Sequence, residues 1–265
     1  MNMYWHELKA TRKSTIIWTL SITLLIIFFM SMYPTFSKEA ESLRKMLEGF
    51  PDALLKAMNF DMDTFTSILG FYSYIFLYIL LCGAIQAMIL GIGILSKEVR
   101  EKTADFLLTK PVTRQQILTS KLLAALTSIV STNIGYLITV LAMASIVEPN
   151  SFDQKLLLMI SITLLFIQVV FLAIGISMSV LVPKIKSVLP ISLGTVFGFF
   201  IVSMFASSIG DEKFRYITPF QYFDAPYILQ NQAYDLTFVV LSIVLVSVLT
   251  AASYIIYVRK DIHAV

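Results

Sequence analysis

Six long apolar segments separated by short polar ones dominate the hydropathy pattern of the chain. A helix needs roughly 20 apolar residues to cross the hydrocarbon core of a bilayer. Each segment is close to that length or longer and contains no Lys, Arg, Asp, Glu or His. The predicted spans are 15–33, 68–96, 122–147, 156–182, 188–210 and 236–258. The pattern therefore predicts an all-α polytopic membrane protein, in which residues 1–265 form a single transmembrane domain with six helices.

Two of the polar segments carry helical patterns of their own. In residues 1–14, Tyr4, Trp5 and Leu8 lie near one face and Lys9, Arg12 and Lys13 near the other. This favours an interfacial helix on the membrane surface, although an ordinary basic flank is the alternative. In residues 34–67, the outer loop between the first two spans, a stripe of apolar residues recurs at helical spacing and is interrupted at Pro51. We expect a packed helix there, with a linker of helical bias as the alternative.

Composition excludes several classes of protein. Hydrophobic residues make up 57% of the chain and charged residues only 14%, whereas a soluble domain has about a quarter of its residues charged. The net charge of +3 is too small to indicate a nucleic-acid partner. The one cysteine, Cys82, excludes an internal disulfide, and with only His6 and His263 available no His-rich or Cys-rich metal centre is expected.

The distribution of charge predicts the orientation in the membrane. With both termini in the cytoplasm, the inner segments carry 13 of the 20 basic residues and 5 of the 17 acidic ones. Basic residues concentrate on the cytoplasmic side of membrane proteins. We therefore expect cytoplasmic termini, a cytoplasmic loop at 97–121, and extracellular segments at 34–67 and 211–235.

The cytoplasmic loop 97–121 is the most charge-dense part of the chain. Val99, Thr103, Phe106 and Leu107 share one face of a short amphipathic helix. Pro111 breaks this helix, and the sequence from Thr113 to Gln116 has the spacing of a capping box, which predicts the start of a new helix. Apolar residues on an exposed cytoplasmic helix indicate a docking surface for a protein partner, with packing on its own bundle as the alternative.

The same loop resembles the permease subunits of type-2 exporters among the ATP-binding-cassette (ABC) transporters. In that family the loop after the second span carries a Thr, a Leu-Leu pair, a Pro-Val-Ser/Thr-Arg turn and a further helix. The matching positions here are Glu101, Thr103, Leu107, Leu108, Pro111, Val112, Thr113, Arg114, Ile117, Lys121 and Leu123. Lys102 departs from the family, which often has glycine at that place. The aromatic segment 216–223 is similar to the family's proline-aromatic segment before the last span, for which we expect short outer helices.

The resemblance implies a division of labour between chains. A separate nucleotide-binding subunit would hold ATP and Mg²⁺, and this chain would carry no cofactor, consistent with the absence of a G-x-x-x-x-G-K-[ST] phosphate-binding loop. The implied coupling helix is 98–108, on which that subunit docks. The docking residues implied are Glu98, Glu101, Thr103, Phe106, Leu107, Leu108, Pro111 and Arg114. A second permease copy or a paralogue would complete the pathway, with the first and fifth spans near the seam.

The spans themselves offer few polar groups. Gly194 and Gly198 form a G-x-x-x-G motif that permits close helix packing and is a candidate dimer interface. Gln86, Asn133 and Gln168 are amides within spans, and we interpret them as interhelical hydrogen-bonding groups, with lining of a pathway as the alternative. The lack of intramembrane charge argues against proton-coupled transport and suits an apolar or amphiphilic substrate better than a small ion.

Three function classes can be compared on these observations. An intramembrane enzyme is disfavoured because no span contains His, Asp, Glu or Lys for acid–base catalysis, so we expect no enzymatic activity in this chain. An exporter permease in the cell membrane of a bacterium, surrounded by lipid, is the leading hypothesis. A membrane anchor or sensor that docks an ATPase without moving substrate, for signalling or antibiotic immunity, is the alternative.

Overall fold

The computed structural model describes residues 3–47, 67–100, 112–149, 152–182, 185–209 and 212–259. These residues form helices and contain no β-strand. The helices are α1 (Met3–Leu47), α2 (Ile68–Arg100), α3 (Arg114–Val147), α4 (Gln154–Leu181), α5 (Val188–Ile209), the short α6 (Ala225–Asn231) and α7 (Leu236–Arg259). Short 3₁₀ helices at Glu212–Tyr216 and Pro219–Gln221 precede α6. All but α6 contain stretches long and apolar enough to cross a membrane, which confirms the predicted fold class.

The contacts between α1 and α3 fix the relative directions of the helices. Tyr4 contacts Thr127, Thr11 contacts Ser128 and Thr19 contacts Thr132, so α1 and α3 run parallel. Arg114, at the start of α3, lies beside the end of α7. We call the end of the bundle that carries Met3, Arg114 and Arg259 the inner end, and the opposite end the outer end.

The centre of the bundle is the pair α2 and α4. Gly91 and Gly175 bring the two backbones together: a Cβ on Gly91 would lie 2.6 Å from the Leu172 carbonyl oxygen, and one on Gly175 would lie 3.0 Å from the Gly91 Cα. Only residues without a side chain permit this approach. Around the contact, Met88, Ile92 and Leu172 are almost fully buried. Gly91 is thus a helix-packing residue at the contact between α2 and α4.

Three helices keep wide apolar faces uncovered within the chain. On α1, Leu24 and Phe28 are exposed. On α5, Ile201 and Phe205 are exposed, and α7 exposes large aliphatic side chains along most of its length. A helix that is apolar on its exposed face is stable only against lipid or another apolar surface. These faces are therefore consistent with the membrane environment that the sequence predicts.

The N-terminal region differs from the prediction. Residues 1–14 were expected to form a separate interfacial helix and the first span to end at residue 33, but α1 is one continuous helix from Met3 through Pro34 to Leu47. Hydrogen bonds from Tyr4 and Thr11 hold its first turns along α3, and Tyr33 and Phe36 pack on Phe71 beyond the predicted end. The predicted outer helix beyond Leu47, including the break at Pro51, lies outside the described residues.

The start of α3 confirms the predicted capping box. Thr113 is the N-cap, its side chain accepts a hydrogen bond from the Gln116 N–H, and the Gln116 side chain accepts one from the Thr113 N–H. Capping satisfies backbone donors that the first helical turn leaves free. The helix begins at Arg114, well before the predicted span at 122–147. The helix predicted to start at the capping box thus runs on into the third span and includes Lys121, which is buried.

Candidate functional site

The three intramembrane amides meet in one buried cluster. Gln168 Nε2 donates to Gln86 Oε1 at 3.0 Å, and Asn133 Nδ2 donates to Gln168 Oε1 at 2.5 Å. Gln86 Nε2 donates in turn to Thr132 Oγ1 at 2.8 Å. Thr132 also contacts Thr19 of α1 at 3.0 Å. The cluster thus joins α1, α2, α3 and α4 with side-chain hydrogen bonds, where the hydrocarbon outside offers no partner.

The amide cluster continues toward the inner end as a row of polar contacts between α1 and α3. Thr11 Oγ1 lies 3.3 Å from Ser128 Oγ, and Tyr4 Oη lies 3.0 Å from Thr127 Oγ1. Closer to the start of α3, Lys121 Nζ donates to Glu7 Oε1 at 3.1 Å. The side chains of Lys121 and Glu7 are only 2% and 16% exposed. We call this series of contacts the α1–α3 polar row.

The sequence analysis missed the ion pair between Glu7 and Lys121. Lys121 lies on the helix predicted after the capping box, but its side chain was expected at the cytoplasmic surface and is buried instead. One signal was available: Glu7 is the only acidic residue among the first 38, in a tail that is otherwise basic. An isolated carboxylate beside a predicted span indicates a specific cationic partner, because an unpaired charge is costly at that depth.

We expect Gln168→Leu to lower the free energy of unfolding by about 1–3 kcal/mol, because it leaves a Gln86 acceptor and an Asn133 donor without this partner in an apolar environment. The measurement is reversible unfolding in mixed micelles of mild detergent and dodecyl sulfate. Gln154→Leu is the matched control, since Gln154 is an exposed residue at the start of the same helix. Equal stability of the two variants would contradict a stabilising role for the cluster.

The predicted coupling loop connects the end of α2 to the start of α3 at the inner end. Glu98 lies in the last turn of α2, and Arg114 begins α3. Arg114 Nη1 lies 3.4 Å from the carbonyl oxygen of Tyr257 and 3.5 Å from that of Val258, near the end of α7. A cation beside the last carbonyls of a helix stabilises its C-terminus. Six of the predicted docking residues lie outside the described residues, namely Glu101, Thr103, Phe106, Leu107, Leu108 and Pro111.

The predicted dimer motif lies on an uncovered face of α5. A Cβ added to Gly194 or Gly198 would meet no atom within 4 Å in the structure. Phe197 and Ile201 beside them are 42% and 51% exposed. The two glycines therefore do not serve packing among the described helices of this chain, and the face that they open is accessible to lipid or to another helix.

The outer segment between α5 and α7 is folded back onto the bundle. Thr218 Oγ1 donates to the Phe199 carbonyl oxygen at 3.0 Å, and Tyr234 Oη donates to the Met159 carbonyl oxygen at 2.8 Å. Asp224 caps α6 by accepting from the Tyr227 N–H at 3.3 Å. Neighbouring protein atoms shield the Asp224 carboxyl from water, and this desolvation raises its pKa. The hydrogen bond from the Tyr227 N–H and the positive charge of Arg215 lower the pKa and offset part of this effect.

The described residues show no group suited to holding a metal ion. No cluster of three or more His, Cys, Asp or Glu side chains occurs in the part of the chain that the structure describes. The polar chemistry found there is that of amides, hydroxyls and two ion pairs, Glu7–Lys121 and Arg215–Asp235. Such groups can bind and position a ligand or join helices.

Comparison with protein-family models gives one match to almost the whole chain. A family described as ABC-2 family transporter protein matches residues 1–262. Comparison with curated proteins and with solved structures found no match. The match covers every described helix and both segments on which the sequence resemblance was based.

Proposed function

The chain belongs to the ABC-2 family of transporter proteins, and from this we propose that it is the permease of an exporter driven by a separate ATPase subunit that docks on residues 97–121. Membership identifies a multi-pass membrane component of an ABC transporter, a family that generally works with an ABC ATPase. The export direction, the docking surface and a location in the plasma membrane of a bacterium are parts of the proposal. ATP and Mg²⁺ would be bound by the partner.

The arrangement of helices at the inner end is the observation that supports this proposal best. The loop 101–111 connects α2, which packs on α4, to α3, which packs on α1. Arg114 adds a contact from the start of α3 to the end of α7. A force applied to this loop would therefore reach several helices through packed contacts, as a transporter needs if nucleotide-driven movement is to alter its transmembrane segments.

We further propose that a second permease copy, or a paralogue, packs against α5 and α1. The space beside Gly194 and Gly198 would admit a closely approaching helix. The apolar faces of α1 and α5 would then be shared between lipid and the second chain. A pathway between two such chains would be lined by twelve spans, six from each.

The docking proposal is tested by the double variant Phe106→Asp/Leu107→Asp. Two carboxylates on the predicted apolar face should abolish co-purification of the ATPase subunit from membranes, because burying them without partners costs several kcal/mol each, roughly. The double variant Ile262→Asp/His263→Asp introduces the same number of carboxylates on the C-terminal tail and should leave co-purification intact. ATPase retention by the loop variant would refute the docking surface.

Transport by the intact complex is a separate measurement. The wild-type permease and its ATPase, reconstituted in proteoliposomes, should show ATP-dependent vectorial movement of substrate. A complex that binds and stimulates the ATPase without any such movement would identify the chain as an anchor or sensor subunit. That outcome would leave family membership and docking untouched and would refute the exporter assignment.

A further inference from the structure

A cavity of about 580 Å³ lies at the outer end of the bundle. It is bounded by the first turns of α2, the last turns of α5, and the segment that contains the second 3₁₀ helix and α6. This volume lies within the range of sites for small organic ligands, about 300–1,000 Å³. The proposed coupling mechanism does not require a cavity at this end of the bundle.

The walls of the cavity combine a largely apolar lining with a smaller number of polar residues. Aromatic and aliphatic side chains form most of the lining, among them Phe76, Leu77, Phe200, Phe220 and Leu229. The polar lining residues are Ser73, Ser203, Gln221, Asp224 and Gln230. This combination suits an amphiphile, whose hydrocarbon part would contact the aromatic and aliphatic side chains and whose polar head would lie near the one charged lining residue, Asp224.

Two residues that line the cavity also lie on the outer surface of the bundle. Tyr74 of α2 and Met204 of α5 both line it and are each 56% exposed. In a bundle with apolar outer faces, an opening between these two residues would face the outer half of the lipid layer. A molecule already dissolved in that leaflet could therefore enter without first crossing water.

The walls are held in place without a ligand. Gln221 Nε2 donates to the Ser203 carbonyl oxygen at 3.0 Å and lies 3.3 Å from Ser203 Oγ. The ring of Phe220 packs against Phe171 and Phe200, with centroids 5.1 and 5.7 Å apart. These contacts tie the outer segment to both α4 and α5, and a preformed wall lowers the entropy cost of binding.

The charge beside the cavity is negative. Asp224 is exposed at its edge, and among the described residues no cation lies within ion-pair distance of its carboxylate. The nearby Arg215 makes its direct contacts with other residues, because its guanidinium lies 3.7 Å from Asp235 and 4.2 Å from the centre of the Phe238 ring, and its charge acts on Asp224 only from a longer distance. The Asp224 carboxylate accepts from the Tyr227 N–H and retains lone pairs for a further donor.

We propose that this cavity binds a single-chain amphiphile with a cationic head, with the head beside Asp224 and the hydrocarbon chain against Leu77, Phe200 and Met204. The proposal rests on the proposed function in one respect, because it names the substrate class of the exporter. Binding itself requires neither the ATPase nor transport. The two proposals can therefore fail separately.

The test is equilibrium binding of tritiated hexadecyltrimethylammonium to the full-length chain in phosphatidylcholine nanodiscs, with empty nanodiscs as background. We expect saturable binding that Asp224→Asn weakens roughly tenfold, the size of effect expected when one charged contact is lost. Asparagine also caps helices well, so α6 should be retained. Asp153→Asn is the matched control, an exposed acid that caps α4 at the same end of the bundle and does not line the cavity, and it should leave the affinity unchanged.

Two further measurements locate the site and its charge preference. Ser73→Trp should fill the cavity and abolish saturable binding, whereas Ile201→Trp, on the exposed face of α5, should not. Unlabelled hexadecyl sulfate should compete far more weakly than the unlabelled ammonium compound. Unchanged affinity in Asp224→Asn, or equal competition by the sulfate, would overturn the proposal, even if the loop variant Phe106→Asp/Leu107→Asp behaves as expected.

Discussion

Gly91→Ala should lower the free energy of unfolding by about 3 kcal/mol, because a methyl group at this position would clash with backbone atoms of α4. Its Cβ would lie 2.6 Å from the Leu172 carbonyl oxygen and 3.0 Å from the Gly175 Cα, and both distances are shorter than van der Waals contact. Both neighbours are backbone atoms that cannot turn aside, so α2 and α4 must separate. Reversible unfolding in mixed micelles measures the loss, and the yield of monodisperse protein should fall with it.

Gly93→Ala provides a control two residues away on the same helix. A Cβ at Gly93 would meet no atom within 4 Å in the structure. Alanine also favours helix over glycine, by up to about 1 kcal/mol in soluble helices. This variant should therefore be as stable as the original chain or slightly more so. If both alanine variants unfold alike, the close contact between α2 and α4 does not determine the stability of the bundle.

Lys121→Met should also be strongly destabilising, by about 3 kcal/mol, because it leaves Glu7 without its partner in a largely buried place. The Lys121 side chain is only 2% exposed and its Nζ lies 3.1 Å from Glu7 Oε1. Methionine keeps most of the aliphatic volume, so the loss would report the charge. The same unfolding measurement applies.

The double variant Glu7→Gln/Lys121→Met tests whether the two charges act as a pair. Removing both charges should recover a substantial part of the stability that Lys121→Met loses, since no unpaired carboxylate remains. Lys13→Met, at an exposed position on α1, should change stability by less than about 0.5 kcal/mol. A double variant no more stable than Lys121→Met alone would show that Glu7 does not depend on Lys121.

The fold class could be predicted from sequence because the bilayer imposes a simple rule. Backbone groups in hydrocarbon must be paired within the segment, so a long uncharged run can only be a helix. The capping box at Thr113 was predictable for a similar reason, because its two hydrogen bonds are local in sequence. Helix ends were less predictable. The first span was predicted to end at residue 33, yet α1 continues through Pro34, since packing of Tyr33 and Phe36 on Phe71 stabilises the outer turns.

The partners of polar side chains could not be predicted from sequence. Gln86, Asn133 and Gln168 were recognisable as amides that need partners, but only the packing of α2, α3 and α4 brings the three together. The outer cavity depends on contacts between segments more than 100 residues apart, such as α2 and the region around Gln221. Hydropathy describes how each segment meets lipid and carries no information about which segments meet each other.

The α1–α3 polar row has a consequence for how the protein is made. Glu7, Thr11 and Thr19 precede their partners on α3 by more than 100 residues. These side chains are therefore synthesised before the residues with which they pair. Until then, Thr11 and Thr19 can satisfy their hydroxyls on carbonyls one turn earlier in α1, but Glu7 has no such substitute for a cation. The nascent first helix should therefore remain beside the insertion machinery, or at the aqueous border, until Lys121 emerges.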